Sequence, residues 1–66
     1  MFEVDSGRVL KFLLNEGMTV KEFSRRADVS SQAVKNAING RKLHIPSVAK
    51  IAAVMGIAPN DLIVGK

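Results

Sequence analysis

The residues best suited to do chemistry lie in one short segment, from Ser30 to Asn39. Gln32, Asn36 and Asn39 recur at the i, i+4 and i+7 spacing that places side chains on one face of a helix. Their amides can form paired hydrogen bonds with the N6 and N7 edge of adenine in the major groove, and Lys35 beside them can serve guanine or phosphate. The alternative is a solvated, amide-rich helix face without a ligand. The face alone favours neither interpretation.

Two short helices joined by a tight turn are predicted to position this face. Thr19 and Glu22 have the spacing of a capping box and predict the start of one helix. Ser30 is a suitable cap for the next helix, and Gly40 can take the left-handed conformation that ends it. Only two residues remain for the turn, so we expect a positive φ at Asp28. The order of cap, turn and cap favours the DNA interpretation over the solvated face.

The hydrophobic pattern predicts an all-α fold of five helices. The first follows a cap at Asp5 or Ser6 and ends at Gly17, the fourth begins at Pro46–Ser47, and a short fifth begins near Pro59. In the loop before the fourth helix, Leu43 and Ile45 are expected to anchor the chain to the core. The residues predicted to face inward are Val9, Leu10, Leu13, Leu14, Val20, Phe23, Ala27, Val34, Ala37, Ile38, Val48, Ile51, Ala52, Met55 and Leu62.

Composition limits what the chain can be. It has 66 residues, 47% of them hydrophobic, and no cysteine. Without disulfides or a metal-ligand cluster, packed helices must stabilise a single domain over residues 1–66, and no cofactor is expected. No apolar run approaches the ~20 residues that span a bilayer, so we expect a cytoplasmic protein without a membrane partner. The sequence offers no Ser-His-acid set and no evident carboxylate pair, which argues against an enzyme.

The net charge of +4 is unevenly distributed. Residues 1–28 carry five basic and five acidic side chains, whereas residues 29–60 carry Lys35, Arg41, Lys42 and Lys50 and no acid. Asp61 cancels Lys66. Such a basic stripe attracts a polyanion, although a solubilising surface is the alternative. We predict that Arg41 and Lys42 contact phosphates, and we expect the lone His44 to be solvated or packed.

The sequence resembles the lambda-repressor-like helix-turn-helix domains, also called the Cro-type or xenobiotic-response-element family. The resemblance extends from about residue 9 to residue 63. The matching positions are Phe23, Ser24, Ala27, Val29, Val34, Ala37, Gly40, Pro46–Ser47, Met55–Gly56–Ile57 and Asp61–Leu62. Three departures stand out. Val20 replaces a frequent phosphate-clamping Gln, and Asp28 replaces the turn Gly. Leu13 and Ile38 occupy the positions of a frequent Arg–Glu pair, and we expect these two apolar residues to touch.

The resemblance implies a sequence-specific regulator that binds double-stranded DNA, of the phage or bacterial Cro type, which represses by occluding its operator. The implied base-reading residues are Ser31, Gln32, Lys35 and Asn36. The implied backbone contacts are Ser30, Asn39, Arg41 and Lys42. A homodimer is compatible with this interpretation, and no small-molecule ligand is expected. The alternative is a protein interaction module, antitoxin-like or polymerase-binding, on a degenerate helix-turn-helix.

Overall fold

The computed structural model describes residues 1–64, so Gly65 and Lys66, and the charge predicted for Lys66, lie outside the described part. Within residues 1–64 the chain forms five helices and one two-stranded sheet. The elements are β1 (Phe2–Glu3), α1 (Ser6–Glu16), α2 (Val20–Ala27), α3 (Ser31–Ile38), β2 (Lys42–Leu43), α4 (Ile45–Met55) and α5 (Pro59–Leu62). The predicted all-α class with five helices is confirmed, with a small β-ribbon in addition.

Side chains at the helix N-termini hold the ends of α1, α2 and α3, as the sequence predicted. The N-cap side chains are Asp5, Thr19 and Ser30, and each accepts a hydrogen bond from the backbone N–H three residues later, at 3.1 Å. These bonds satisfy N–H groups that have no partner within the helix. Glu22 forms a salt bridge with Arg26, at 3.7 Å, one turn further along α2.

The core consists of inward-facing side chains from each of the five helices, together with Val4 next to β1 and Leu43 in β2. Phe23, Val34 and Ile51 are fully buried, and Phe12 packs edge-on against Phe23 with ring centroids 5.8 Å apart. Phe12 therefore widens the core, as its position beside the inward stripe of α1 allowed. The remaining buried apolar residues are Val4, Val9, Leu13, Ala27, Ala37, Leu43, Val48, Ala52 and Leu62.

Three residues that were predicted to pack against the core are exposed instead: Leu10 and Leu14 in α1, and Ile45 at the start of α4. Leu10 and Leu14 are exposed, by 45% and 72%, because α1 buries only the narrow stripe through Val9 and Leu13. Ile45 is 65% exposed because α4 already begins there, one residue earlier than predicted, and the anchoring role falls to Leu43 alone. Apolar side chains one position off a buried stripe point about 100° away from it.

Several other residues that were predicted to lie in the core are only partly buried. Val20, Ile38 and Met55 are half-buried and pack against the core. Leu13 is buried in the same core, and α1 and α3 lie in contact. Direct contact between Leu13 and Ile38 stays a prediction.

The β-ribbon was not predicted, and it ties the N-terminal arm to the chain that follows α3. Phe2 pairs with Leu43 and Glu3 with Lys42 in antiparallel register. A single bridge joins Val4 to Ile63 on the other side, supported by a 2.9 Å bond from the Val64 N–H to the Glu3 carbonyl. The arm thus fixes the course of the loop beyond α3. In the described part of the chain, no helix has the length and apolarity that crossing a bilayer requires.

Candidate nucleic-acid interface

The polar face of α3 points outward. Val34 and Ala37 bury the opposite side of the helix against the core, and Gln32, Lys35 and Asn39 are exposed. At about 100° per residue, Gln32 and Asn39 lie almost opposite the buried side. Asn36 is half-buried on one flank, and Ser31, on the other flank, is exposed. The amide face that the sequence predicted therefore exists as a continuous exposed surface.

Gln32 and Asn36 are joined to each other. Gln32 Nε2 donates to Asn36 Oδ1 at 3.0 Å, along the i, i+4 direction of the helix. The Asn36 carbonyl also accepts a 2.8 Å bond from the Arg41 N–H, which ties the end of α3 to the loop. Both amide side chains can still form hydrogen bonds with a ligand, because each retains donor or acceptor positions that are not in this bond.

Ser31 faces the neighbouring helix more than the sequence suggested. Its Oγ lies 3.4 Å from Ser24 Oγ, and Ser24 donates its own hydroxyl hydrogen to the Lys21 carbonyl at 2.7 Å. Because a hydroxyl has only one hydrogen, Ser31 must be the donor in the contact between the two serines. The hydroxyl hydrogen of Ser31 is thus directed at α2, and an oxygen acceptor remains for a DNA base.

The turn between α2 and α3 takes the predicted form. Asp28 has φ 57°, and among residues 1–64 it alone combines a positive φ with a side chain. Lys50 of α4 reaches across to this turn, donating to the Asp28 carbonyl at 3.3 Å and approaching its carboxylate at 3.5 Å. Ser24, buried where α2 meets α3, is small enough for the two helices to approach closely. The orientation of α3 relative to α2 is therefore fixed by contacts on both sides of the turn.

The loop after α3 carries the other predicted contacts. Arg41 and Lys42 are both exposed, and Lys42 lies in β2. Neither they nor Lys35 forms a salt bridge within residues 1–64, whereas Lys50 is paired with Asp28. Three basic side chains, rather than the four that the sequence assigned to residues 29–60, are therefore available to an external anion.

A notch of about 230 Å³ lies beside the outward face of α3 and includes residues that the sequence reasoning left out. Gln32, Asn36 and Lys42 line it, as predicted contacts, together with Met1, His44 and Ser47. Met1 reaches this place only because β1 pairs with β2. A pairing across about 40 residues leaves no local signal in the sequence. His44 was not predicted as a contact, although it lies two residues after the predicted phosphate contact Lys42 in the sequence. The remaining lining residues are Ser30, Ala33 and Leu43.

The fold and this surface together define a helix-turn-helix domain, in which two capped helices cross at a tight turn and the second presents a polar face. The chain belongs to the family of Cro/C1-type HTH DNA-binding domains, whose model matches residues 8–65. This confirms the family resemblance of the sequence. No curated protein and no solved structure is similar enough to this chain to count as a match.

Proposed function

We propose that this protein is a transcriptional regulator that binds double-stranded DNA in a sequence-specific manner and represses by occluding an operator, in the cytoplasm and without a catalytic step. The observation that carries the proposal is the outward face of α3, which has exposed amides, a lysine and no acid. Gln32, Asn36, Ser31 and Lys35 are assigned to base edges in the major groove. Membership of a DNA-binding family supports the same conclusion.

The backbone contacts are assigned to residues at both ends of α3. Ser30 Oγ accepts from the Ala33 N–H, so its hydroxyl hydrogen is left to donate to a phosphate. Asn39 follows the last turn of α3 and is exposed. Arg41 and Lys42 continue this line with two unpaired cations. Such contacts position the helix in the groove but do not themselves read sequence.

Selection from a random duplex pool tests the proposal directly. We expect a short enriched sequence, and we expect binding to that sequence to weaken as salt is raised, because phosphate neutralisation releases counterions. A pool that shows no enrichment, or binding that salt leaves unchanged, would contradict sequence-specific recognition by this surface.

We further infer that the operator-bound form contains two copies of the chain. An apolar groove of about 260 Å³ is lined by Phe2, Ile45, Val48, Ala49, Pro59, Asn60 and Ile63, none of which carries a charge. Ile45, one of the lining residues, is 65% exposed, so it is accessible to the same surface of a symmetric partner. Two copies of a chain with net charge +4 repel each other, and an uncharged surface is where they can approach most closely.

The size of this groove limits how strong such a contact can be. Two copies that meet only at this groove would bury far less surface than a stable interface does. Such a contact is expected to be weak in solution and to operate when DNA holds two copies at high local concentration.

A protein interaction module is the second candidate, and two observations favour it. Val20 is half-buried and apolar where an amide would clamp a phosphate, and Leu10 and Leu14 leave an apolar surface exposed on α1. An antitoxin-like or polymerase-binding role would use that α1 surface. Under this alternative, loss of the Arg41 charge would leave partner binding unchanged, and a polar residue at Leu14 would abolish it.

A further inference from the structure

We propose that Glu3 lowers the affinity of this protein for DNA, because the fold places its carboxylate beside Lys42, a proposed phosphate contact. The inference rests on the proposed function and adds an acid to an interface that was assigned only polar and basic side chains. Residues 29–60 contain no acid, but the pairing of β1 with β2 brings this one from the N-terminal arm to the basic segment.

The backbone fixes where the Glu3 side chain begins. Glu3 lies directly opposite Lys42 in the antiparallel ribbon. The Glu3 carbonyl accepts the bond from the Val64 N–H at 2.9 Å, so it points to the C-terminal segment and away from β2. Glu3 and Lys42 therefore form a non-hydrogen-bonded pair, the type in which opposite Cα atoms are only about 4.5 Å apart and the side chains are closest.

The Glu3 and Lys42 side chains share one face of the ribbon, since directly opposite residues of an antiparallel pair do. Lys42 lines the notch beside the outward face of α3, so this face of the ribbon adjoins the proposed DNA surface. The neighbouring pair, Phe2 and Leu43, belongs to the opposite face, and Leu43 is buried in the core. The Glu3 carboxylate is thus on the side from which DNA would approach.

The charge of Glu3 opposes what Lys42 contributes. Both side chains are exposed, and Lys42 has no salt-bridge partner in the described part of the chain, so it can reach a phosphate. A carboxylate on the opposite residue still lies well within the Debye length, which is about 10 Å at 0.1 M salt. A phosphate that approaches Lys42 is therefore also repelled by Glu3. Because phosphates carry no sequence information, every duplex is affected alike.

Glu3→Gln removes the charge and keeps the length of the side chain and the backbone bonds of β1. We expect this variant to bind the selected duplex and a scrambled duplex about threefold more tightly at low salt, which is the size of an exposed charge interaction. The gain should shrink as salt is raised. Glu16→Gln is the matched control, since it makes the same change in net charge at the exposed end of α1, outside the proposed interface, and should gain less.

A neutral phosphate locates the effect. In the selected duplex, each phosphate is replaced in turn by methylphosphonate, which carries no negative charge. One position should weaken binding by the wild type but not by Lys42→Ala, and it marks the phosphate that Lys42 contacts. On that duplex the gain from Glu3→Gln should fall to that of Glu16→Gln, because the charge that Glu3 repels is gone.

Glu3→Asp separates charge from altered folding of the ribbon. It keeps the carboxylate and should bind as the wild type does. A gain by Glu3→Asp as large as that by Glu3→Gln would show that a changed ribbon, and not charge, strengthens binding, and would overturn the inference.

The remaining outcomes are distinct. If no duplex is bound in a salt-dependent manner, the proposed function fails, and this inference fails with it. If binding depends on salt but Glu3→Gln and Glu16→Gln gain equally, Glu3 acts only through net charge, and the inference alone is overturned. A Glu3→Gln gain that persists in full on the methylphosphonate duplex would likewise overturn the assignment of Glu3 to the phosphate of Lys42.

Discussion

Single residues carry strain and charge that can be tested one at a time, and Asp28 is the clearest case of strain. Its φ of 57° lies in the left-handed region, which disfavours any residue with a Cβ, although Asp tolerates it better than most. The carboxylate approaches Lys50 but is almost fully exposed, so the attraction is screened by solvent.

We expect Asp28→Gly to raise the free energy of unfolding by about 1 kcal/mol, because Gly adopts this conformation without steric cost. The Lys50 bond to the backbone carbonyl can persist in that variant. Asp28→Asn removes the charge but keeps the Cβ, and it should change stability little. Urea unfolding of both variants provides the measurement, and equal stability of Asp28→Gly and wild type would show that the turn is not strained.

Charge at residue 41 is the second test at this scale. Arg41→Ala should weaken binding to all duplexes by a similar factor and lower the slope of log affinity against log salt by about one, because one phosphate contact is lost. Lys11→Ala removes the same charge from the exposed surface of α1, outside the proposed interface, and should leave the slope unchanged. Equal slopes for both variants would remove Arg41 from the interface.

At the scale of elements, the sequence predicted the helix ends, which depend on interactions between residues close in sequence. Capping residues, together with positive φ at Gly17, Asp28 and Gly40, marked the ends of α1 to α3 within about a residue, because those interactions join neighbours in sequence. The β-ribbon was not predicted because three helices separate its two strands in the sequence, so no local pattern marks the pairing of Phe2 with Leu43. Leu10 and Leu14 were misassigned because hydrophobicity does not tell how wide a stripe the other helices will cover.

In the candidate site too, some features could be predicted from the sequence and others could not. The outward amides of α3 followed from helical spacing, as did the cap at Ser30. The bond between Gln32 and Asn36, the contact between Ser31 and Ser24, and the place of Met1 in the notch depend on side-chain rotamers and distant pairing. None of these has a signature in the order of residues.

The start of α3 offers a test of an element that serves both fold and function. Ser30→Ala should lower the free energy of unfolding by about 1 kcal/mol, because the Ala33 N–H loses its cap. Ser30→Asp keeps an accepting oxygen and should retain stability, yet it places a negative charge at the proposed phosphate contact and should weaken DNA binding. Thermal unfolding and duplex titration separate the two effects. Weak binding by Ser30→Ala at full stability would contradict the capping role.

At the scale of the whole molecule, the surface divides into the polar face of α3 and the uncharged groove beside α4 and α5. Met1 lines the notch and Phe2, the next residue, lines the groove. The N-terminal arm therefore lies between the two surfaces.

We expect Ile45→Gln to weaken binding to duplexes with two half-sites by about tenfold and to leave binding to one half-site unchanged, because an apolar contact between copies is lost. Leu14→Gln is the matched control, since Leu14 is 72% exposed and Ile45 65% exposed. Titration of one-site and two-site duplexes gives the ratio. Cooperativity that survives Ile45→Gln but not Leu14→Gln would move the contact between copies to α1.

The bridge from Val4 to Ile63 has a consequence for synthesis on the ribosome. Val4 is synthesised before all five helices, whereas Ile63, with which it forms the bridge, is synthesised after them. Contacts between such distant positions close late, because the intervening chain must first be ordered. We therefore expect α3 to form on the nascent chain before this bridge closes, and the N-terminal arm to be held on both sides only after residue 63 has left the exit tunnel.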